Sequence, residues 1–84
     1  MSRNPEYFTN QLSVQTIVAT TISLLNSAGD KLAQLDHKWI TERAEKGWCA
    51  AEIARACVRT NFDKSNPLRR RFLTALTKLG APEV

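Results

Sequence analysis

The fold of this chain is decided by residues 12–28, which read LSVQTIVATTISLLNSA. Apolar side chains recur there at steps of three and four, the spacing that places them on one face of an α-helix. The same segment is rich in Thr, Ile and Val, which favour strands. Because the helical spacing continues past Leu25 into good helix formers, we predict a helix with one apolar stripe. The members of the stripe are Val14, Ile17, Val18, Ile22, Leu25, Ala28, Leu32, Leu35 and Trp39.

The stripe belongs to an amphipathic helical segment, residues 11–46, which follows a flexible N-terminal arm of residues 1–10. Gly29 leaves two arrangements open, because a glycine can end one helix or form a weak point within a longer one. The stripe over residues 12–39 can supply core contacts or contacts with a second copy of the chain. A homodimer is therefore a candidate assembly.

Two further helices are predicted after residue 46. Gly47 is suited to end the preceding helix, and Cys49 and Glu52 have the spacing of a capping box for the next one. Asn66 and Pro67 are typical of a helix start, so they mark the beginning of a final helix that ends at Gly80. The side chains of that helix that we expect to face inward are Leu68, Phe72, Leu76 and Leu79.

Length and composition limit the class of protein. A chain of 84 residues has room for one hydrophobic core, so we predict a single all-α domain, a small bundle of three to four helices. No stretch has the pattern of a signal peptide or the roughly 18 apolar residues of a membrane span. We therefore expect a cytoplasmic protein that does not enter a membrane.

The positive charge of the chain is concentrated in one region. The net charge of +4 divides into −1 for residues 1–37 and +5 for residues 38–84, and residues 55–78 alone carry +6. A local excess of this kind is typical of a surface that meets a polyanion. The predicted helix pair of residues 47–80 contains this excess, so it is the candidate binding region.

Residues 47–55 read GWCAAEIAR, and this stretch resembles the opening of helix-turn-helix DNA-binding proteins, where Gly-x-Ser-x-x-Glu-Ile-Ala leads into the first helix. The resemblance extends over residues 47–79. It implies a second helix from Pro67 to Leu79 that contacts DNA from its N-terminal end. The loop that ends at Asn66 is several residues longer than the tight turn of a typical member of the family.

These observations predict a small nucleic-acid-binding protein, most simply a DNA-binding transcription regulator, with duplex DNA as its preferred ligand. Arginine pairs with phosphate or with guanine edges, and lysine pairs with phosphate. Phosphate contact is the mechanism that the charge supports most directly. The residues predicted to bind nucleic acid are Arg55, Arg59, Lys64, Arg69, Arg70, Arg71 and Lys78.

An alternative function belongs to a different class: a small helical inhibitor or adaptor, of phage or mobile-element type, that blocks a partner protein. The long amphipathic segment could cover a partner's surface, and the basic region could meet an acidic protein surface. Trp48 is the candidate partner-binding residue, because tryptophan is favoured in binding hot spots. It stands at a helix junction, so it could either protrude toward a partner or pack against the junction itself.

The sequence offers little for catalysis, metal binding or a cofactor, and we predict none of the three. His37 is the only histidine, and no metal-ligand spacing occurs. Cys49 and Cys57 are eight residues apart on one predicted helix, which puts their Cα atoms about 12 Å apart, beyond the reach of a disulfide. Both cysteines are expected to be reduced and buried.

Overall fold

The computed structural model describes residues 3–29, 32 and 37–83, and in these residues the regular structure is entirely helical. The all-α prediction is confirmed. The helices, in chain order, are α1 (Pro5–Phe8), α2 (Val14–Ala28), α3 (His37–Glu45), α4 (Ala50–Asn61) and α5 (Pro67–Lys78). Helix α2 packs against α3, α4 and α5, so the N-terminal apolar segment forms one wall of the core.

Helix α2 begins where its sequence provides an N-cap. The hydroxyl of Ser13 accepts a hydrogen bond from the Thr16 amide at 3.2 Å, which satisfies one of the free donors of the first turn. Four members of the predicted stripe are completely or almost completely buried: Ile17, Val18, Leu25 and Leu32. The stripe member Val14 lies in the first turn and is 37% exposed, whereas Leu24 is buried beside the stripe.

Gly29 ends α2, which settles the two arrangements left open by the sequence in favour of separate helices. Its backbone is extended, and its amide donates to the Leu25 carbonyl at 3.1 Å. The position is also crowded, since a Cβ atom built there would lie 2.6 Å from Cε1 of Phe72. The end of α2 therefore packs directly on α5. The predicted stripe member Leu35 lies outside the described residues.

Gly47 ends the α3 segment as predicted. Its φ of 92° is in the left-handed region, which glycine adopts without strain. The Trp48 amide donates to the Arg43 carbonyl and the Gly47 amide donates to the Ala44 carbonyl, both at 3.1 Å. This pair of bonds is a Schellman motif, which closes the helix and redirects the chain into α4.

Helix α4 is the most buried helix of the described structure. The Cys49 amide donates to the Glu52 carboxylate at 3.4 Å, which is the return half of the predicted capping box. Small side chains cover the face that meets α2 and α5, so the helices approach closely. The buried members of that face are Ala50, Ala51, Ile53, Ala54, Cys57 and Val58.

Helix α5 begins as the sequence predicts, because Asn66 Oδ1 accepts from the Leu68 amide at 3.0 Å and Pro67 occupies the first turn. Its inward face differs from the prediction. Only Leu76 is fully buried, whereas Leu68 and Leu79 at the two ends are 38% and 37% exposed. The ring of Phe72 is partly buried against Phe62, with ring centroids 5.1 Å apart.

The segment predicted as an arm contains α1. Asn4 caps it by accepting from the Glu6 amide at 3.1 Å, and the Asn4 amide donates to the Gly80 carbonyl at 3.2 Å. Tyr7 and Phe8 are partly buried against the core, and α1 contacts α4. Residues 3–10 therefore pack along the outer side of α4.

Candidate nucleic-acid interface

A groove of about 300 Å³ lies between α4 and α5 and contains most of the local excess of positive charge. Four of the seven basic residues predicted to bind nucleic acid line it, together with three side chains of α5. None of these lining residues is acidic. The lining residues are Arg55, Lys64, Arg69, Arg70, Leu73, Thr74 and Thr77.

Local sequence signals place the groove's basic side chains. Asp63 Oδ1 accepts from the Lys64 amide at 2.7 Å, and the Asn66 amide donates to the Asp63 carbonyl at 2.9 Å, so the loop turns tightly into α5. Arg69 and Arg70 then fall in the first turns of that helix, which carry no acidic residue. The partial positive charge of a helix N-terminus adds to theirs, so this corner attracts anions.

Arg55 lies deeper than the other basic side chains and is only 8% exposed. Its Nη1 atom donates to Thr77 Oγ1 at 3.2 Å and to the Ala81 carbonyl at 3.1 Å, while its Nη2 atom lies 3.9 Å from the Glu83 carboxylate. Burial first, and then the nearby guanidinium of Arg59, lower the pKa of Arg55, whereas Glu83 raises it. Arg55 thus forms the floor of the groove and cross-links α4, α5 and the segment after α5.

The other three predicted basic residues lie outside the groove. Arg59 follows Arg55 by one helical turn and forms an ion pair with Glu83. Arg71 and Lys78 are exposed on α5 without lining the groove. Because three consecutive residues of a helix point in different directions, Arg71 is separated from Arg69 and Arg70 even though it is adjacent in sequence.

A second, larger pocket of about 660 Å³ lies between α1, α4 and the segment after α5. Its lining mixes both signs of charge with apolar and aromatic side chains. Burial, followed by a hydrogen bond to Glu52, raises the pKa of the Cys49 thiol in this pocket, so the thiol stays protonated at neutral pH. The lining residues are Arg3, Phe8, Trp48, Cys49, Ala51, Glu52, Arg55, Ala56, Arg59, Pro82 and Glu83.

The candidate partner-binding residue Trp48 is partly buried at the junction of α3 and α4. Its ring makes an edge-to-face contact with Trp39, with centroids 6.3 Å apart. The guanidinium of Arg43 lies 5.1 Å from the Trp39 ring centroid and 5.2 Å from that of Trp48. These contacts hold Trp48 against its own chain, although the residue also lines the larger pocket.

Sequence analysis missed two residues of the site region, Glu83 and Arg43. Nothing local points to Glu83, because its partners lie 24 and 28 residues earlier in the chain. Arg43 could have been found, since it follows Trp39 by four residues and so lies on the same face of a helix.

Within residues 3–29, 32 and 37–83, no three His, Cys, Asp or Glu side chains are grouped so that they could hold a metal ion. The helices of the same residues are all too short or too polar to cross a membrane.

Comparison of the chain with protein-family models, with curated proteins and with solved structures found no match. In the part of the chain that the structure describes, fold and site together define a small all-helical protein with a basic interhelical groove.

Proposed function

We propose that this protein binds nucleic acid, with duplex DNA preferred, through the groove between α4 and α5. The observation that carries the proposal is the convergence of Lys64, Arg69 and Arg70 over the Arg55 floor, in a groove whose lining has no carboxylate. Phosphate oxygens are ligands of Arg and Lys side chains and of Thr hydroxyls, and the groove offers all of these.

The groove supports contact with the phosphate backbone more directly than reading of bases. Arg70 is exposed and Arg69 is partly buried at the start of α5, the end from which a helix-turn-helix unit contacts DNA. A role in transcription regulation in the cytoplasm is part of the proposal and depends on this binding.

The alternative function, a protein-binding inhibitor or adaptor, receives less support. It relied on an amphipathic stripe available to a partner, and Ile17, Val18 and Leu25 of that stripe are buried inside the chain. The same burial covers part of the stripe on which a homodimer was a candidate assembly. Binding to an acidic protein is therefore one of the outcomes that the experiment below can detect.

The test is a titration of a labelled 20-base-pair duplex, followed by fluorescence anisotropy at several salt concentrations. Two double variants on α5 make a matched pair, because each removes two positive charges: Arg69→Gln with Arg70→Gln inside the groove, and Arg71→Gln with Lys78→Gln outside it. Each lost phosphate contact lowers the slope of log K against log salt by about 0.9. We expect the groove variant to lose about 2 from the slope and the control variant to keep it.

Three results would contradict the proposal in different ways. No complex with wild-type protein at 50 mM salt would rule out nucleic-acid binding. Equal losses for the two double variants would show that net charge, and not the groove, is responsible. Stoichiometric capture of one protein that survives nuclease treatment, without DNA binding, would favour the inhibitor or adaptor function.

A further inference from the structure

Arg55 and Arg59 lie one turn apart on α4, and both are paired with the same carboxylate, that of Glu83. Two guanidinium groups this close repel each other, and Arg59 accordingly lowers the pKa of Arg55. Among the described residues, Glu83 is the only carboxylate that forms an ion pair with either of them. Without Glu83, the pair would be a concentrated positive site on the rim of the larger pocket.

Arg55, the less exposed member of the arginine pair, is held in position independently of Glu83. The Nη1 atom of Arg55 is fixed by Thr77 Oγ1 and by the Ala81 carbonyl, which leaves Nη2 directed toward Glu83. The Arg55 side chain is 10% exposed, so its stem is fixed by packing. A guanidinium fixed in this way binds an anion without further loss of side-chain freedom.

The backbone turn after α5 brings Glu83 to the pair. The φ of Gly80 is 99°, and its amide donates to the Thr77 carbonyl at 3.1 Å while the Ala81 amide donates to the Leu76 carbonyl at 3.0 Å. This Schellman motif reverses the chain over α4. Glu83 itself is loosely held, because its side chain is 64% exposed and exposed ion pairs are weak.

We propose that Arg55 and Arg59 form a second phosphate-binding site, which Glu83 occupies within the same chain and which a backbone phosphate of bound nucleic acid takes over. A carboxylate and a phosphate present similar oxygens to a guanidinium, so Glu83 stands in for the phosphate. Arg55 also lines the groove between α4 and α5, so the two sites share this residue and are neighbours. This inference rests on the proposed function and extends its binding path onto α4.

The experiment compares wild type, Glu83→Gln and a control, Glu45→Gln, which makes the same charge change on α3 at a residue that lines neither pocket. We expect Glu83→Gln to tighten DNA binding about three- to tenfold, because the competing carboxylate is gone. We also expect its salt slope to stay at the wild-type value, because both proteins contact the same phosphate in the complex and only the competing carboxylate differs. The control should change the affinity less than twofold and keep the slope, and Glu83→Gln combined with Arg59→Gln should lower the slope by about 0.9, the value for one lost phosphate.

A second measurement is independent of DNA. Inorganic phosphate is titrated into each protein while the side-chain NMR signals of Arg55 and Arg59 are followed. Glu83→Gln should saturate at a phosphate concentration at least fivefold below that needed by wild type, and the Arg59→Gln double variant should show no saturable shift. If wild type fails to bind DNA, the proposed function fails, and this titration still decides whether the site exists.

The inference is overturned if Glu83→Gln matches Glu45→Gln in DNA affinity, or if phosphate affects wild type and Glu83→Gln equally. It is also overturned if Glu83→Gln binds an acidic peptide more tightly than DNA at the same salt, which would assign the site to an acidic protein. Circular dichroism of each variant establishes that the helices are retained.

Discussion

Arg55 provides the sharpest test of the structure, because the sequence marks it as a nucleic-acid contact and the structure gives it buried hydrogen bonds as well. The perturbation is Arg55→Met, which keeps a long apolar stem and removes the guanidinium. In the wild type, Nη1 of Arg55 donates to the carbonyl of Ala81, a residue with no exposed surface, at 3.1 Å. In the variant this carbonyl loses its donor in a place that water does not reach.

The expected loss follows from that geometry. A buried acceptor without a partner costs about 1–3 kcal/mol. The variant also relieves an unfavourable feature, since burial and Arg59 both lower the pKa of Arg55 and so oppose its charged form. We therefore expect Arg55→Met to lower the free energy of unfolding by about 1–2 kcal/mol, the lower part of that range. In a domain of this size the melting temperature would fall by roughly 4–15 °C.

The assay is thermal and urea unfolding followed by circular dichroism, with Arg59→Met as the matched control. Arg59 carries the same charge one turn further along α4, but its side chain is 35% exposed and its partner Glu83 is 64% exposed. Its loss should cost at most about 0.5 kcal/mol, as for other exposed ion pairs. Equal stabilities for the two variants, or an Arg55→Met variant more stable than wild type, would refute the structural role assigned to Arg55.

Three other perturbations have defined outcomes. Gly29→Ala should lower stability by about 1–3 kcal/mol in urea unfolding, because its Cβ would lie 2.6 Å from the Phe72 ring, and Phe72→Leu in that background should recover part of the loss. Arg43→Met should reduce stability by about 0.5–2 kcal/mol through loss of its contacts with two tryptophan rings, and tryptophan fluorescence should shift with it. The raised pKa of the Cys49 thiol contributes stability below the ordinary thiol value of 9.0 that is lost as pH rises above that value, because the unfolded thiol then ionises first. Wild type should therefore lose stability faster than Cys49→Ala above that pH, and parallel pH profiles would show that the thiol is not protected.

Local sequence signals predicted helices α2 to α5 but not the short helix α1. Asn66 and Gly47 cap or end helices as expected, because capping involves only atoms within about one turn of the chain. The inward faces were predicted less well. Val14 and Leu68 have the right spacing for burial, yet each lies in a first turn where no neighbouring helix covers it.

The charge distribution followed from the sequence alone, including the +6 of residues 55–78. What those charges do was decided by the tertiary structure. The seven predicted basic side chains are equivalent when only their charges are counted. Packing distinguishes them, because it places Lys64, Arg69 and Arg70 in one groove and buries Arg55 beneath them. A helix turns about 100° per residue, so its direction relative to a neighbouring helix determines which charges share a surface.

The ion pair of Arg59 with Glu83 shows most clearly which kind of contact the sequence does not predict. The two residues are 24 positions apart, and they meet because Gly80 reverses the chain after α5 and the Ala81 carbonyl is held by Arg55. The sequence determined that a glycine would end that helix. Only the packing of α5 against α4 determined where the chain went next, because the direction of a turn in space depends on how the helix before it is docked.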